Sequence, residues 1–228
     1  MNRLYLVRHG ESFVNLTKEF SCRKVDKPLT PKGVLQSEQT AAWFRDKGVQ
    51  EIYSSPLKRA AETAAIIAAP LGLPVTLMEQ FREVNVGDME DWPPTLENWK
   101  IHNEVFQAWG RGRLETAFPG GENYFMLVAR MRDGLTTVLR DKDNRTLVVV
   151  THGGIALATI TSICQDVNVP ELLRVGFDNC AISELEIGLQ DGRFKGRVVS
   201  WGVSSHLSGE AAEMTSPIPT ELYESARG

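Results

Sequence analysis

The sequence predicts an α/β fold, a three-layer α/β/α sandwich with a mostly parallel central sheet, helices on both faces and a cap insertion. Two observations support this prediction. Short apolar runs alternate with helical patterns along most of the 228 residues. Two of those runs, residues 4–7 and 147–151, are apolar at almost every position, as is typical of strands buried on both faces of a parallel sheet.

The chain begins with one of these strands, residues 4–7, and a helix is expected from Thr30 to about residue 47. Thr30 is suited to cap the free backbone amides of that helix. Pro31 suits its first position, because proline has no amide hydrogen to leave unpaired there. Gly48 favours its end, since glycine readily adopts the left-handed conformation that closes a helix.

A second strand and a second helix follow directly. Residues 51–54 read as a strand, and an alanine-rich helix is expected over residues 55–69, closed by Pro70. Residues 75–78 form a third short strand with β-branched content. This alternation of strand and helix indicates parallel pairing, because the chain must cross back over the sheet between neighbouring strands.

The regular pattern loosens between Gln80 and about residue 121. We interpret residues 81–121 as a cap inserted into the sandwich. Three of the five tryptophans, Trp92, Trp99 and Trp109, lie in this segment, and we expect them to form the core of the cap.

The second half of the chain returns to regular periodicity. Apolar residues spaced at about 3.6 positions predict a long helix over residues 122–140. The remaining predicted elements are a strand at 147–151, a helix at 155–164, and a hairpin of strands at 181–187 and 197–201 around the turn at 191–192. We assign residues 1–207 to one domain that includes the cap and residues 208–228 to a loose polar tail.

Composition excludes several classes of function. The chain is 42% hydrophobic and 24% charged, with a net charge of −4, so we expect neither nucleic acid nor a membrane as its partner. The three cysteines show no CxxC spacing and fit a reducing compartment. No apolar stretch approaches the roughly 20 residues of a membrane span, and no signal-peptide core follows Met1. A cytoplasmic location is therefore expected.

Positively charged side chains follow several of the predicted strands. Arg8 and His9 end the first strand, His152 ends the strand at 147–151, and Arg59 lies just after the strand at 51–54. Carboxyl ends of parallel strands meet at one edge of the sheet. Guanidinium groups match phosphate oxygens with planar pairs of donors, so the sequence predicts a site for a phosphoryl group.

Six motifs in order support a more specific interpretation: LVRHGES, LTPKG, SSPLKRAAETA, FREVNVGDMED, FPGGEN and VVVTHGG. Together they resemble the successive signatures of the histidine phosphatase superfamily, which includes cofactor-dependent phosphoglycerate mutases and many small phosphatases. The resemblance covers roughly residues 4 to 207.

The resemblance implies a role for each matched residue. His9 would be the nucleophile that becomes phosphohistidine, while Arg8, Arg59 and His152 would hold the transferring phosphoryl group. Glu83 matches the carboxyl group that protonates the leaving oxygen and then deprotonates water. The remaining candidates for substrate binding are Asn15, Glu122, which could instead orient the pocket, and the backbone amides near Gly153.

Elementary chemistry adds three expectations. An imidazole attacks phosphorus through an unprotonated nitrogen, so the other ring nitrogen of His9 should donate to a carbonyl, and Gly10 allows the close backbone approach. Three other carboxylates, Glu79, Glu90 and Asp91, lie near Glu83 and compete for its role. No cluster of carboxylates accompanies the histidines, so no catalytic metal and no cofactor is expected.

Three functions remain open. The leading one is a metal-independent phosphomonoesterase for small phosphorylated metabolites. A phosphoglycerate mutase is the alternative, although REVNVGDMEDWPP resembles the E-x-x-x-G-x-W-E-G pattern of the phosphatases, with Met89 and Asp91 replacing two of its positions, more than the E-R-H-Y-G pattern of the mutases. A non-catalytic protein that binds phosphoryl ligands is the third, since fold alone does not establish activity.

Further expectations concern the two remaining histidines, four cations and the final hairpin. We expect His102 to be an ordinary half-exposed residue and His206 to pack structurally. The candidates to hold a second acidic group on the substrate are Arg23, Lys24, Arg111 and Arg113. The final hairpin offers a strand edge at which a homodimer could form.

Overall fold

The computed structural model describes residues 1–216, 218–219 and 222. Its strands β1 to β6 are Asn2–Arg8, Glu51–Ser54, Val75–Leu77, Thr146–Thr151, Ile182–Gln190 and Arg193–Val203. Its helices α1 to α7 are Phe13–Thr17, Pro31–Phe44, Lys58–Ala68, Leu96–Gly110, Tyr124–Leu139, Gly153–Thr159 and Val169–Val175.

The six strands form one sheet in the order β3-β2-β4-β1-β5-β6. The pairs β3–β2, β2–β4 and β4–β1 are parallel, whereas β5 runs antiparallel to both β1 and β6. The predicted mostly parallel sheet is thus confirmed. Its antiparallel part is the hairpin that the Asp191-Gly192 turn predicts, and β6 is one edge of the sheet.

Both faces of the sheet are covered, because alternate side chains of the central strands enter two different cores. In β1, Leu4 and Leu6 pack in a large core with α5 and α6, while Tyr5 and Val7 pack in a second core with α2 and α3. Strand β4 alternates in the same way. This arrangement is the predicted three-layer sandwich.

Helix starts follow the predicted local chemistry. The Thr30 hydroxyl accepts from the Gly33 amide, with Pro31 at the first position of α2. Helix α5 begins one residue after Asn123, whose side chain accepts from the Met126 amide. These caps satisfy amides that the first helical turn leaves without partners.

Three helices were not predicted, namely α1, α4 and α7. The one with the largest structural consequence is α4, which lies inside the predicted cap segment. Thr95 caps it by accepting from the Asn98 amide, and its aromatic residues contact other aromatic rings rather than forming a simple apolar stripe. Phe106, for example, contacts both Trp109 and Phe118.

The prediction of a loose C-terminal tail is wrong for the part that the structure describes. Residues 209–212 form a short 3-10 helix whose Ala211 is fully buried, and the Ala211 carbonyl accepts from the Gln36 side chain at 3.1 Å. The physical reason is that a few apolar residues, including Met214, are enough to hold a mostly polar segment to the core. Residues 217, 220–221 and 223–228 of the predicted tail lie outside the described part.

Among the helices formed by the described residues, none is both long enough and apolar enough to cross a membrane.

Candidate active site

Three strand ends meet at one edge of the sheet and build the site. The register pairs Arg8 of β1 with Thr151 of β4, and the His9 amide donates to the Thr151 carbonyl at 3.0 Å. Strand β2 lies on the other side of β4. The residues that follow these three strands, His9, Ser55 and His152, therefore come together, as the sequence predicts.

Two hydrogen bonds fix the protonation of the His9 ring. Nδ1 lies 2.7 Å from the carbonyl oxygen of Gly10, and Nε2 lies 3.1 Å from Nε of Arg59. A carbonyl only accepts and a guanidinium only donates, so Nδ1 carries the proton and Nε2 has an unprotonated lone pair that accepts from Arg59. The expected carbonyl partner is present. Gly10 is required here, because a Cβ would approach the Gly33 carbonyl oxygen to 2.6 Å.

His152 lies beside His9, with 5.1 Å between the ring centroids. The side chain is fully buried, and its Nε2 lies 2.8 Å from Oγ of Ser55. Its Nδ1 has no hydrogen-bond partner among the described residues. Buried polar atoms rarely lack a hydrogen-bond partner, so Nδ1 of His152 is available to form a hydrogen bond with a ligand.

The two predicted arginines are buried and flank the same site. Arg59 donates to both Oγ (2.7 Å) and the carbonyl (3.0 Å) of Ser21, and Arg8 donates to the Phe177 carbonyl at 2.8 Å. Burial lowers the pKa of Arg59 to about 10. Since that value is above neutral pH, the Arg59 guanidinium remains charged at the site.

Burial and the two guanidinium groups also set the charge of the imidazoles. Burial lowers the pKa of His9 well below its usual value, and the positive charges of Arg59 and Arg8 lower it further. The pKa of His152 is lowered by burial, by Arg59 and by His9. Both rings are consequently neutral at neutral pH, which is the state that a nitrogen nucleophile needs.

Glu83 is held at the mouth of the site by backbone amides. Its Oε1 accepts from the amides of Val84 (2.9 Å) and Ile155 (2.8 Å), and its Oε2 accepts from Gly154 at 3.1 Å. The amides at the start of α6 were expected to bind phosphate. The structure corrects this expectation for Gly154 and Ile155, because the Glu83 carboxylate already uses them.

The three competing carboxylates have other partners. Glu79 is exposed and pairs with Arg82, and Asp91 pairs with Lys24 on the surface. Glu90 is buried but accepts from the backbone amides of residues 22–25, which holds that loop in place. Residues 79–91 hold five carboxylates, counting Asp88, and Glu83 is the one that lines the cavity with His9.

Glu122 is not among the residues that line the cavity of His9, and its contact with substrate stays a prediction. It forms an ion pair with Arg130 at 2.8 Å and accepts from the Asn85 amide at 2.9 Å. Arg130 in turn donates to the carbonyls of Gln80, Arg82 and Glu83. Glu122 and Arg130 thus position the loop that carries Glu83, which agrees with the orienting role considered as the alternative.

The cavity in front of His9 has a volume of about 310 Å³, within the usual size range of small-molecule sites. Arg8, Arg59, Glu83, Asn15 and Gly153 line it, whereas His152 lies behind His9. The four cations proposed to hold a second acidic group do not line it: Arg23, Lys24, Arg111 and Arg113. Arg111 and Arg113 are exposed to solvent, where hydration competes with any ligand.

His102 is half-exposed, as expected, but its surroundings were not predicted. It lines the cavity and contacts four aromatic rings, those of Phe20, Trp99, Phe106 and Phe118, at 4.7 to 5.6 Å between centroids. Trp99 also lines the cavity, although we expected it only in the cap core. The sequence of α4 does not show which of its aromatic rings face a cavity, because that depends on the segments against which the helix packs.

Sequence analysis did not identify several polar residues that support the site. Asn179 donates to the His9 carbonyl at 3.0 Å, Ser21 accepts from Arg59, and Ser55 contacts His152. Ser55 directly follows β2, and that position was a usable signal. Ser21 and Asn179 lie in loops, where their residue types are common for many other reasons.

Two adjacent glycines provide a matched test of the Glu83 position. A Cβ on Gly154 would lie 2.8 Å from Glu83 Oε1, whereas one on Gly153 would lie at an ordinary 3.5 Å from Arg8 Nε. We expect Gly154→Ala to lower kcat/KM by about 10²-fold, the usual effect of displacing a reacting group by about 1 Å, and Gly153→Ala to cost much less. Steady-state kinetics checks this, and equal losses would contradict it.

None of the four histidines is expected to titrate near pH 6.5 in the free protein. Burial lowers the pKa of His102 to about 3 and of His206 to about 4, and that of His9 and His152 is also low. Below pH 6.5 the unfolded chain gains protons that the folded protein does not bind. The free energy of unfolding therefore decreases as the pH is lowered below 6.5, by up to about 1.4 kcal/mol per pH unit for each fully buried histidine.

Two measurements check this expectation. Histidine ring resonances in NMR spectra give each titration directly, and denaturant midpoints between pH 7.5 and 5 give the change in stability. A His9 resonance that titrates at its ordinary value would contradict the neutral ring and its cause.

Comparison with known proteins gives the same picture. Residues 4–200 match the histidine phosphatase superfamily (branch 1). The chain is 31% identical over 210 residues to "Uncharacterized phosphatase PhoE" of Bacillus subtilis, which covers 92% of this chain and 98% of that protein. It is 32% identical over 190 residues to "Putative phosphoserine phosphatase 2" of Hydrogenobacter thermophilus, over 82% and 90% of the two chains.

Mutases by name occur among the relatives too. "Probable phosphoglycerate mutase GpmB" of Escherichia fergusonii is 32% identical over 218 residues, which is 93% of this chain and 98% of that one. Among solved structures, "Mycobacterial hydrolase 1" superposes with a TM-score of 0.74 at 25% identity, over 89% of this chain and 99% of the other. Motifs, fold and relatives thus agree, and the chain belongs to branch 1 of the histidine phosphatase superfamily.

Proposed function

We propose that this histidine phosphatase hydrolyses phosphomonoesters of small metabolites in two steps, through a phosphohistidine on His9 and without a metal ion. One observation supports the proposal above all others. The Nε2 lone pair of His9 is held unprotonated by the Gly10 carbonyl, in contact with the Arg59 guanidinium, at the wall of a cavity that also contains Arg8 and Glu83.

In the first step, His9 Nε2 attacks phosphorus, and the bond from phosphorus to the ester oxygen breaks. Arg8 and Arg59 line the cavity and are placed to hold the phosphoryl oxygens. His152, whose ring lies 5.1 Å from that of His9, would join them through its unpartnered Nδ1, although it is not among the residues that line the cavity. Such groups act mainly by positioning and by stabilising charge, and the loss of one typically costs about 10²–10³ in rate. The Nδ1–H of His9 keeps its bond to the Gly10 carbonyl and stabilises the cationic phosphohistidine.

Glu83 supplies the proton of the first step and removes one in the second. Its three amide partners hold the carboxyl group in place at the cavity. As the general acid, it enters the first step in its protonated form. The proton then passes to the leaving oxygen, and the resulting carboxylate takes a proton from the water that attacks the phosphohistidine.

Two further residues complete the proposed contacts. The amide oxygen of Asn15 already accepts from Ser12 at 2.9 Å, so a substrate contact would come from its Nδ2 group. Gly153 offers its backbone at the cavity wall, beside Arg8. Among the described residues, no three His, Cys, Asp or Glu side chains are grouped as a metal site would require.

The proposal is tested with enzyme freed of metal by chelation. We expect it to release phosphate from p-nitrophenyl phosphate and from at least some metabolite phosphates. The mutase alternative, which the names of some relatives favour, is tested with 3-phosphoglycerate in the same enzyme. Faster formation of 2-phosphoglycerate than of free phosphate would identify a mutase and overturn the phosphatase proposal.

A non-catalytic binding protein would show neither reaction. Quenching with alkali rather than acid preserves phosphohistidine, so brief exposure to a labelled phosphomonoester should leave label on His9. No label and no turnover across a broad panel of esters would favour the binding protein.

Three other expectations remain proposals. The partner is a small phosphorylated substrate, as the names of phosphatase relatives suggest for those proteins. A homodimer would form at the β6 edge, which analytical ultracentrifugation tests. A cytoplasmic location fits the buried, unbridged cysteines Cys22, Cys164 and Cys180, and fractionation of cells tests it.

A further inference from the structure

Beyond the phosphoryl end, the walls of the cavity are mostly aromatic and aliphatic. One side of the cavity is formed by residues 14–21, which follow β1, and by α4. Another side is formed by α6, α7 and the C-terminal segment. The apolar lining residues include Phe20, Trp99, Phe106, Leu157, Leu173 and Ile218. A surface of this kind favours an apolar ligand, since it gains about 25 cal/mol for each Å² that both partners remove from water.

Charge in the cavity is strongly uneven. Among the described residues that line it, the cations are Arg8 and Arg59, and both flank His9 at the phosphoryl end. The lining residues outside that end that can carry charge are two acids, Glu19, which pairs with Lys27, and Asp178, and neither attracts an anion. His102 adds no charge, because burial lowers its pKa to about 3. A second anionic group on a substrate would thus meet no cation among the described lining residues other than the two that flank His9.

We propose that the enzyme acts on phosphomonoesters whose alcohol part is uncharged and largely apolar, such as arylalkyl or alkyl phosphates, and discriminates against phosphorylated acids. This inference rests on the proposed phosphatase function and specifies the substrate class of the same site. Its physical basis is a balance of two effects. Apolar groups gain from contact with Trp99 and Phe106, while a carboxylate loses its hydration and gains no cation.

The C-terminal segment contributes to this specificity. Ile218 lines the cavity although it lies far from the catalytic motifs in sequence. Residues before it are tied to the body by the contact of Ala211 with Gln36 and by the hydrogen bonds of Thr215 with Glu11 and Lys32. The segment that sequence alone presents as a polar tail therefore supplies an apolar wall.

A panel of four esters tests the proposal: 2-phenylethyl phosphate, glycerol 3-phosphate, 3-phosphoglycerate and phosphoserine. In all four esters the leaving group is an alkyl alcohol, so differences in kcat/KM report binding more than leaving-group chemistry. We expect 2-phenylethyl phosphate to exceed glycerol 3-phosphate by at least about ten-fold, the typical selectivity of an apolar pocket for an added apolar group. The two acids should be poorer than glycerol 3-phosphate.

The possible outcomes separate the two proposals. Turnover of 3-phosphoglycerate or phosphoserine as fast as that of 2-phenylethyl phosphate would overturn the apolar specificity and leave the phosphatase intact. No turnover of any ester, including p-nitrophenyl phosphate, would overturn the phosphatase and with it this inference.

A single cation at the rim provides a gain-of-function test. Leu173 of α7 lines the cavity and is 48% exposed, so arginine is accommodated there without loss of core packing. We expect Leu173→Arg to raise kcat/KM for 3-phosphoglycerate relative to 2-phenylethyl phosphate by about ten-fold. Val199→Arg is the matched control, because Val199 is similarly exposed on β6 and does not line the cavity.

Phe106→Ala tests the apolar contact itself. It should lower kcat/KM for 2-phenylethyl phosphate by about ten-fold through KM, while glycerol 3-phosphate changes little. Thermal melting shows whether the variant folds. A uniform loss on both esters in a folded variant, together with no shift in Leu173→Arg, would overturn the proposal.

Discussion

His9→Ala is expected to lower kcat/KM for p-nitrophenyl phosphate by at least about 10⁴-fold, the scale seen when an enzyme loses its nucleophile. The reason is that no other described group at the site offers a free lone pair in the same position. The neighbouring imidazole of His152 is fully buried behind His9, and its Nε2 already contacts Ser55. The variant should also fail to take up label from a phosphomonoester.

A matched histidine separates this effect from a general loss of structure. His206 lies apart from the cavity lining, with its Nε2 3.0 Å from Thr40 Oγ1 and its ring near Trp43. We expect His206→Ala to remain active within the limit set by its stability, measured by thermal melting. Full turnover by folded His9→Ala would exclude the phosphohistidine route altogether.

Glu83→Gln is expected to have a large effect that depends on the leaving group. For an alkyl phosphate, kcat/KM should fall by about 10²–10⁴-fold, because an alkoxide cannot depart readily without a proton. For p-nitrophenyl phosphate the fall in kcat/KM should be much smaller, since nitrophenolate is a stable anion. The parameter kcat/KM covers steps only up to the first irreversible one, so later water attack does not obscure the difference.

The second half-reaction gives an independent readout in the same variant. Glutamine cannot take a proton from water, so hydrolysis of the phosphohistidine should slow, and labelled enzyme should accumulate during turnover of p-nitrophenyl phosphate. Glu79→Gln is the matched control, because Glu79 is an exposed carboxylate four residues earlier that pairs with Arg82. An equal loss on both ester types in Glu83→Gln, without accumulation of label, would assign Glu83 a structural role instead.

Local patterns were sufficient to predict most of the central layer. Strand β1 is apolar at each of residues 4–7 because its side chains alternate between two cores. An apolar strand of this kind therefore predicts helices on both sides of the sheet. The hairpin turn at Asp191 and Gly192 is likewise local, because both residues take the positive φ that a tight turn demands. These features depend on neighbours in sequence and are therefore readable from it.

The cap and the C-terminal segment were harder to predict, for a different reason. Helix α4 mixes aromatic and polar residues, and only its contacts with Phe20 and Phe118 show which rings form a core. The C-terminal segment carries too few apolar residues to predict burial. Its position depends on partners such as Gln36, which lies 175 residues away from Ala211 in sequence.

By itself, the sequence determined the fold class, the family signatures and the identities of His9, Arg8, Arg59 and His152, because strand ends and short motifs are local properties. Only the tertiary structure decided which of the neighbouring carboxylates lines the cavity with His9, which cations face the cavity, and that most of its walls are apolar. The reason is physical: a cavity is formed by side chains from distant segments, and its charge depends on which of them turn inward when the core packs.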